Sequence, residues 1–462
     1  MSFFSDRSDV LFSPPVLAAA QQSPLSFAQE TMLFWDKLVP RSAVYNVPIA
    51  IKIKGDLDRE ALSGSLDLII SRHEILRSLF MFEHGEPVVM VAQQRESIVS
   101  FIDLSNLPAQ ESEAAVQKAA NDEARRPFEL GRDLMLRAAL LRLSRSEHVL
   151  VLTMHHIAAD GWSIGVLLKE LSQAYQAIVH RTASVLQPLQ HQYSDFARWQ
   201  RQLLQGPAGE RCSSFWKQQL EGFDGSGESL PLDYPRPSQQ TFAGDTLRTT
   251  LPGSTLSDFA GIGQLRRATP FMVMLAALQT LLHTYSSHDE VAIGVPVANR
   301  ARPEFESLIG CFINMVVVRG DLSGNPTFLE LLGRVRETAL GAFLHPEVPF
   351  SEVVRQLRPK RSANRTPWFQ IQLVLQNYPM PELQLPGLSV RPFTVDTATS
   401  KFDLSVLVEM KEELEIGFEY NADLFDAPTM QRMLRDYSNI LRRVVKHPDA
   451  RIRDLCMTAV VC

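Results

Sequence analysis

The stretch Thr153-Met154-His155-His156-Ile157-Ala158-Ala159-Asp160-Gly161-Trp162-Ser163 is where the apolar patterning of this chain breaks off and reactive side chains begin. The residues before it, from His148 to Met154, are mostly β-branched or large and apolar, in a run too short for a helix, and read as a buried strand. After it, apolar residues recur at helical spacing (Ile164, Leu167, Leu168, Leu171, Tyr175, Ile178), which predicts a helix to Val179 with Ser163 as its N-cap. The two histidines therefore fall at a strand end that turns into a helix. Side chains alternate along a strand, so His155 and His156 point in opposite directions and only one can face a given cleft.

A histidine so placed can accept a proton or a hydrogen bond near neutral pH, because its ordinary pKa is about 6.5. Asp160, four positions on, could orient the imidazole, cap the helix, or pair with a distant arginine to hold the turn. Gly161 lets a substrate approach the backbone closely. A packed core histidine followed by a capping aspartate fits the same spacing, which alone does not separate the two readings.

Composition narrows the class. With 462 residues, 45% hydrophobic and 21% charged, the chain can bury a large core and is expected to form two or more lobes. A formal net charge of -6 gives no overall basic field, which argues against nucleic acid as the main partner. Cys212, Cys311, Cys456 and Cys462 form no C-x-x-C pair and read as reduced thiols of a cytoplasmic protein, neither a disulfide framework nor a metal site. No apolar run reaches the roughly 18 residues that span a bilayer. Residues 1–22 read as a mobile leader, since Pro14, Pro15, Asp6 and Asp9 spoil any signal-peptide core.

In chain order, Ser26-Phe27-Ala28-Gln29 opens a helix to Leu38, and Ile49, Ile51 and Ile53 alternate with polar or small residues as in a half-buried strand. Asp58 caps a helix with the face Leu62, Leu66, Ile69, which ends in Arg72-His73-Glu74-Ile75-Leu76-Arg77. Arg72 and Arg77 there are either solvated charges or braces of a buried turn. His84-Gly85 reads as a hairpin tip. A polar helix (114–126), a strand (136–143) and the histidine strand complete a first lobe over residues 23–205.

The proline- and glycine-rich stretch 206–255 reads as a crossover linker draped over the surface. The second lobe, 256–462, repeats the α/β alternation. Thr269-Pro270 opens an apolar helix, strands follow at 290–295, 313–319, 369–376, 402–410 and 414–420, and Asp426 caps a terminal helix.

Seven short motifs in order then resemble the condensation domains of nonribosomal peptide synthetases, in the chloramphenicol acetyltransferase-like superfamily, from Ser26 to Asp454. They are Ser26-Phe27-Ala28-Gln29; Arg72-His73-Glu74 through Phe80; His155 to Gly161; Tyr193-Ser194-Asp195-Phe196-Ala197-Arg198-Trp199; Ile309-Gly310-Cys311-Phe312-Ile313-Asn314; His345 to Phe350; and Arg361 to Pro367. A lone H-x-x-x-D-G is weak evidence, whereas seven in order are strong. The resemblance implies an α/β fold of two acetyltransferase-like lobes in a V-shaped pseudodimer with a central tunnel. It implies transfer of an acyl group from a donor thioester to the amine of an aminoacyl acceptor, each on a phosphopantetheine arm.

Carried over by position, His156 is the catalytic histidine, taking a proton from the amine or holding the amine in place, and the Gly161 N–H lies near the oxyanion. His155 and Asp160 are structural, with Arg300 as Asp160's partner from the other lobe; Arg72 and Arg77 belong to the second motif. Trp162, Ser163, Asn314, Trp368 and the Ser400-Lys401-Phe402-Asp403 segment are candidates for lining the tunnel. Three positions depart from the family pattern. Thr31 stands where arginine is usual, so a helix-anchoring ion pair is expected to be missing; Ser351 replaces glutamate; and Trp368 replaces a smaller residue.

The order Gly161-Trp162-Ser163 resembles domains that take an L-configured or non-chiral donor. No metal or bound cofactor is implied. The implied partners are donor and acceptor carrier proteins, acyl-CoA as an alternative donor, and a neighbouring adenylation domain, with the domain itself a monomer. The short leader is expected for a freestanding or starter-type domain that attaches a fatty or other acyl group. An ester-forming enzyme and a noncatalytic recruitment domain of the same fold are the alternatives.

Overall fold

A computed structural model describes residues 23–455 apart from 94–97, 184–185, 224, 226–229, 301, 361 and 378–379. The expected leader lies outside the described residues, as do Cys456, Cys462 and Arg361. The first half runs α1 (Phe27–Leu38), β1 (Asn46–Lys54), α2 (Arg59–Arg72), a 3-10 turn (Glu74–Arg77), β2 (Ser78–Glu83), β3 (Glu86–Val91), β4 (Val99–Asp103), α3 (Ala109–Arg125), β5 (Leu136–Arg142), β6 (Glu147–His155), α4 (Gly161–Val179) and α5 (Tyr193–Leu204). The second runs α6 (Pro207–Leu220), β7 (Gly244–Leu251), α7 (Ser254–Gln264), α8 (Pro270–Ser286), β8 (Glu290–Val297), β9 (Asn314–Asp321), α9 (Phe328–Phe343), α10 (Phe350–Leu357), β10 (Ile371–Gln376), β11 (Ser389–Phe393), β12 (Leu404–Met410), β13 (Leu414–Asn421), α11 (Ala427–Lys446) and α12 (Ile452–Leu455).

The first sheet has the order β11-β1-β6-β5-β4, with β6 near its centre. Alternation decides what β6 buries. Leu150, Leu152 and Met154 join the core made with α2 and α4, while Val149 and Val151 join a smaller core with Val116 and Ala120 of α3. Both faces are covered, which is why the strand reads as a continuous apolar run. Each buried leucine there contributes about 1.5–3 kcal/mol relative to exposure. The second sheet, β7-β13-β12-β10-β8-β9, packs against α8, α9 and α11 in a separate core. Thr269 caps α8 as expected, accepting from the Met272 N–H at 3.3 Å.

Several expectations are corrected. The stretch 206–255 is not simply a linker: α6 sends Cys212, Trp216 and Leu220 into the second core, and β7 pairs with β13 along its length. Its proline and glycine punctuation hid a helix that begins at Pro207 and a polar edge strand. The second half also lends chain to the first. Strand β11, from the second half, pairs with β1 (Ala50 opposite Phe393), and Phe305, Leu308, Ile309, Phe312, Leu383 and Leu385 belong to the first core.

Asp160, not Ser163, is the N-cap of α4, because its carboxylate accepts from the Ser163 N–H at 2.9 Å. At Thr31 itself the hydroxyl donates to Phe27 O at 2.9 Å, and α1 is anchored by the neighbouring Glu30, which pairs with Arg201, itself a donor to Leu25 O at 2.9 Å. Asp426 begins α11 without a side-chain cap bond, its carboxylate accepting from the Tyr234 hydroxyl at 2.6 Å instead.

Candidate active site

Strand β6 ends at His155, whose N–H donates to Met135 O at 3.2 Å, and the His156 N–H makes one further bond to Tyr45 O at 2.8 Å. The chain then turns, with the Ala158 N–H on His155 O at 2.9 Å, and enters α4. His155 follows the α3 side of the alternation. It is 3% exposed, lies edge-on to Phe128 with centroids 5.6 Å apart, and accepts the Ile157 N–H at Nδ1 (3.1 Å). His156 is half-buried, with Nδ1 3.9 Å from Cys311 Sγ.

Burial pushes the His155 imidazole down to about 3, helped by the charges of Lys401 and Arg137. Burial and then Lys401 hold His156 well below the usual histidine range, while hydrogen bonds to its own and the Ala159 backbone oppose this. Both rings are therefore neutral at physiological pH. The Cys311 thiol beside His156 is pushed up to about 12 by burial and then by Asp160, which leaves it protonated and unreactive.

Neutral burial has a measurable cost in acid. The unfolded chain binds protons at histidines near pH 6.5 that the folded chain refuses, so the stability owed to His155 is complete above pH 6.5 and is lost as pH falls toward 3. The slope is about 1.4 kcal/mol per pH unit for one such histidine. His155→Asn retains an acceptor for the Ile157 N–H without the titrating ring. Melting curves between pH 6.5 and 3.5 are expected to fall less steeply for it than for the parent; parallel curves would contradict the assignment.

Asp160 is the hub of the turn. It is 1% exposed; Oδ1 accepts from the Ser163 N–H (2.9 Å), the Ser163 hydroxyl (2.7 Å) and Arg300 (3.0 Å), and Oδ2 accepts from the Phe312 N–H (3.0 Å). Arg300, which follows β8, also donates to Phe305 O (2.6 Å) and Leu308 O (2.9 Å) and stacks on the Phe312 ring at 3.8 Å. The histidine turn is thus bolted to the second half of the chain. Gly310 has to be glycine here, since a Cβ would lie 2.0 Å from Cδ2 of Tyr193.

The other candidates divide. Gly161 is the first residue of α4, so its N–H points out of a helix start. Trp162 donates to Glu306 O at 2.8 Å. Ser163 is fully buried, cross-linked to Asp160 and to Gly310 N at 3.0 Å, and lines nothing. Asn314 spends its amide on Pro346 O (2.8 Å) and Val348 O (2.7 Å) and its carbonyl on the Met315 and Phe350 N–H groups (2.9 Å each), so it latches the fifth motif to the sixth. Trp368 is a core residue of the second half, edge-on to Phe350. Ser400 is buried and donates to Phe402 O at 2.8 Å.

Arg72 braces a buried turn: its Nε donates to Glu170 Oε1 on α4 at 2.9 Å, while His73 Nε2 meets Oε2 at 2.9 Å. Arg77 donates to Ala92 O at 2.9 Å, away from His156. Most of the motifs interlock in this way. The Tyr193 hydroxyl spans Ser26 Oγ (2.8 Å) and Cys311 O (2.5 Å), and Gln29 donates to Ile157 O at 3.3 Å.

Sequence reading did not single out Tyr45 or Glu419, named Cys311 only as a reduced thiol and a member of the fifth motif, and placed Lys401 only within a lining segment. Tyr45 and Glu419 carry no local signal, since only tertiary packing brings them to the site.

Two α/β lobes, the second lending a strand to the first, with a neutral histidine at a strand end bolted across the halves, define the two-lobed chloramphenicol acetyltransferase-like class. The sequence model of the condensation domain matches residues 19–459, and the chain belongs to that family, found in nonribosomal peptide synthetases. It is 39% identical over 98% of its length to chondramide synthase cmdD of Chondromyces crocatus and 38% identical over 92% to malpinin synthetase of Mortierella alpina. It spans only 12% and 6% of those relatives, respectively. Among solved structures, the X-domain from teicoplanin biosynthesis superposes with a TM-score of 0.86 at 27% identity, covering 96% of this chain and 99% of that one. No helix among the described residues is long and apolar enough to cross a membrane.

Proposed function

We propose that this condensation domain is catalytic and forms an amide, with His156 meeting the acceptor amine. The observation that carries the reading is the half-buried, neutral His156 at the junction of the two halves, its turn fixed by the Asp160–Arg300 pair. With Nδ1 turned toward Cys311 and the backbone, Nε2 is the nitrogen left for a substrate. The amine nitrogen attacks the thioester carbonyl carbon, the C–N bond forms and the C–S bond breaks. The proton lost by the amine ends on the leaving thiolate, by way of His156 if it acts as base.

In this reading the Gly161 N–H, at the positive end of α4, stabilises the developing oxyanion. Holding two large thioesters together supplies much of the rate, because proximity alone can be worth about 7–11 kcal/mol. The substrates are a donor acyl thioester on a carrier protein or coenzyme A and an aminoacyl group on an acceptor carrier protein, each delivered on a phosphopantetheine arm through the junction of the lobes.

Incubating the domain with acyl donor and aminoacyl carrier and weighing the intact carrier tests this. The expected result is an aminoacyl carrier heavier by the acyl group. The likeness to the X-domain, also solved in complex with OxyB, favours a second reading as a docking platform for a tailoring enzyme. That reading takes over if the carrier mass is unchanged and a tailoring enzyme binds.

A further inference from the structure

The segment Ser400-Lys401-Phe402-Asp403 brings one cation to the histidine turn from the second half, and the segment is pinned at three points. The Ser400 N–H donates to Phe242 O (3.0 Å), Gln240 donates to Lys401 O (3.0 Å), and Asp403 takes a two-pronged pair from Arg236 (2.9 and 2.5 Å). From this support the Lys401 ammonium reaches to 5.3 Å from the centre of the Tyr45 ring, and Tyr45 is the residue whose carbonyl holds the His156 N–H. Tyr45, ahead of β1, faces it, and its charge acts on His155 and His156 at the end of β6, on Cys311 ahead of β9 and on Glu419 on β13. Of these, Glu419 is the acid that offsets the charge; burial raises its carboxyl and lowers the Lys401 ammonium from their usual ranges, and each charge opposes the shift of the other. Further charges act on the same groups: Arg137 on β5 acts on His155, and Asp160 and Arg300 act on Cys311.

We propose that Lys401 is a positioning residue that keeps the reaction pocket electropositive, so that the acceptor is held beside His156 as the neutral, nucleophilic amine and not as the ammonium ion. This rests on the amide-forming reading. A free α-amine has a pKa of about 8, so in neutral solution most of it is protonated and cannot attack. A fixed positive charge in a partly desolvated site disfavours the ammonium form and drives its proton to solvent before chemistry. It also disfavours imidazolium, which accords with the direction in which His156 is moved, and it favours the developing oxyanion. The lysine would thus do by field what a strong base would otherwise do by proton transfer.

The test is the pH dependence of turnover in the full chain, with an acyl thioester donor and an aminoacyl carrier. The acid limb of kcat reports the bound amine, whereas that of kcat/KM reports the free one. Lys401→Met is expected to move the kcat limb up by about one pH unit, roughly a tenfold loss on the acid side, with a smaller movement in kcat/KM. Lys401→Arg, which restores the charge, is expected to return the limb to its parent position.

Lys401→Met/Glu419→Gln removes both buried charges and serves if the single variant does not fold. An independent reading is the NMR titration of the His156 ring, whose midpoint rises when Lys401 is neutralised. A folded Lys401→Met protein with an unmoved kcat limb overturns the proposal. If the parent shows no turnover at all, the amide-forming reading falls by itself, and an unmoved His156 midpoint then overturns the role of Lys401 separately.

Discussion

Replacing His156 by alanine is expected to lower amide formation by about 10²–10⁴-fold, the range for losing a positioned acid–base group, while the protein stays folded. The two parts of this expectation have different physical origins. The fold is spared because the structural bonds at this position are made by the backbone: the His156 N–H on Tyr45 O and the His156 carbonyl beneath the Ala159 N–H remain in the alanine variant. Activity is lost because the half-buried ring, with Nδ1 toward Cys311, is the group proposed to meet the amine.

How the loss divides tells base from positioner. If the neutral imidazole removes a proton only as the C–N bond forms, kcat and kcat/KM fall together; if it mainly holds the amine in place, KM rises as well. Single-turnover transfer followed on the intact carrier, with a melting curve beside it, measures both. Turnover equal to that of the parent would remove His156 from the chemistry.

The legible part of the site was the part written in contiguous residues. His155 and His156, Asp160, Gly161 and the strand-turn-helix that carries them follow from alternation and helical spacing. Arg300 was reached by family pattern, and its guanidinium does meet Asp160. What stayed hidden depends on chain that crosses between lobes. Strand β11 is five residues long and exposed along much of its face, so no apolar pattern announces that it completes the first sheet.

Ser163 looked like a cap because a hydroxyl precedes an apolar run, but the carboxylate three residues earlier had the better reach to the free N–H groups. Asn314, Ser400 and Trp368 were read as lining because they sit in or beside motifs. The Asn314 amide and the Trp368 ring instead tie one motif to the next, and the Ser400 hydroxyl closes its own segment on Phe402 O. Lys401 could be suspected from its segment, but its direction could not, since that depends on where Tyr45 and Cys311 arrive from elsewhere.

The largest effect on stability is expected at the Asp160–Arg300 pair. Both side chains are almost fully buried, at 1% and 3% exposure, so removing one partner leaves a charge with neither water nor counter-ion, a loss of about 3–5 kcal/mol. Arg300→Met is the cleaner cut, because it retains apolar volume against Phe312 while leaving the carboxylate with only the Ser163 and Phe312 donors. Asp160→Asn is not conservative here: every bond to this carboxylate is one it accepts, so an amide NH2 would have to face an N–H or a guanidinium.

Removing both charges, in Asp160→Ala/Arg300→Met, is expected to cost less than the two single losses added together, because neither buried charge is then stranded. Urea unfolding of the four proteins measures this through the midpoint at constant slope. The turn carrying His156 and the loop carrying Cys311 both hang from Asp160, so the same variants should lose activity even where they remain folded, by letting the imidazole drift from the junction. Additive losses, or a fully active Arg300→Met, would mean that the pair is dispensable and that packing of Phe312 and Tyr193 alone holds the two halves in register.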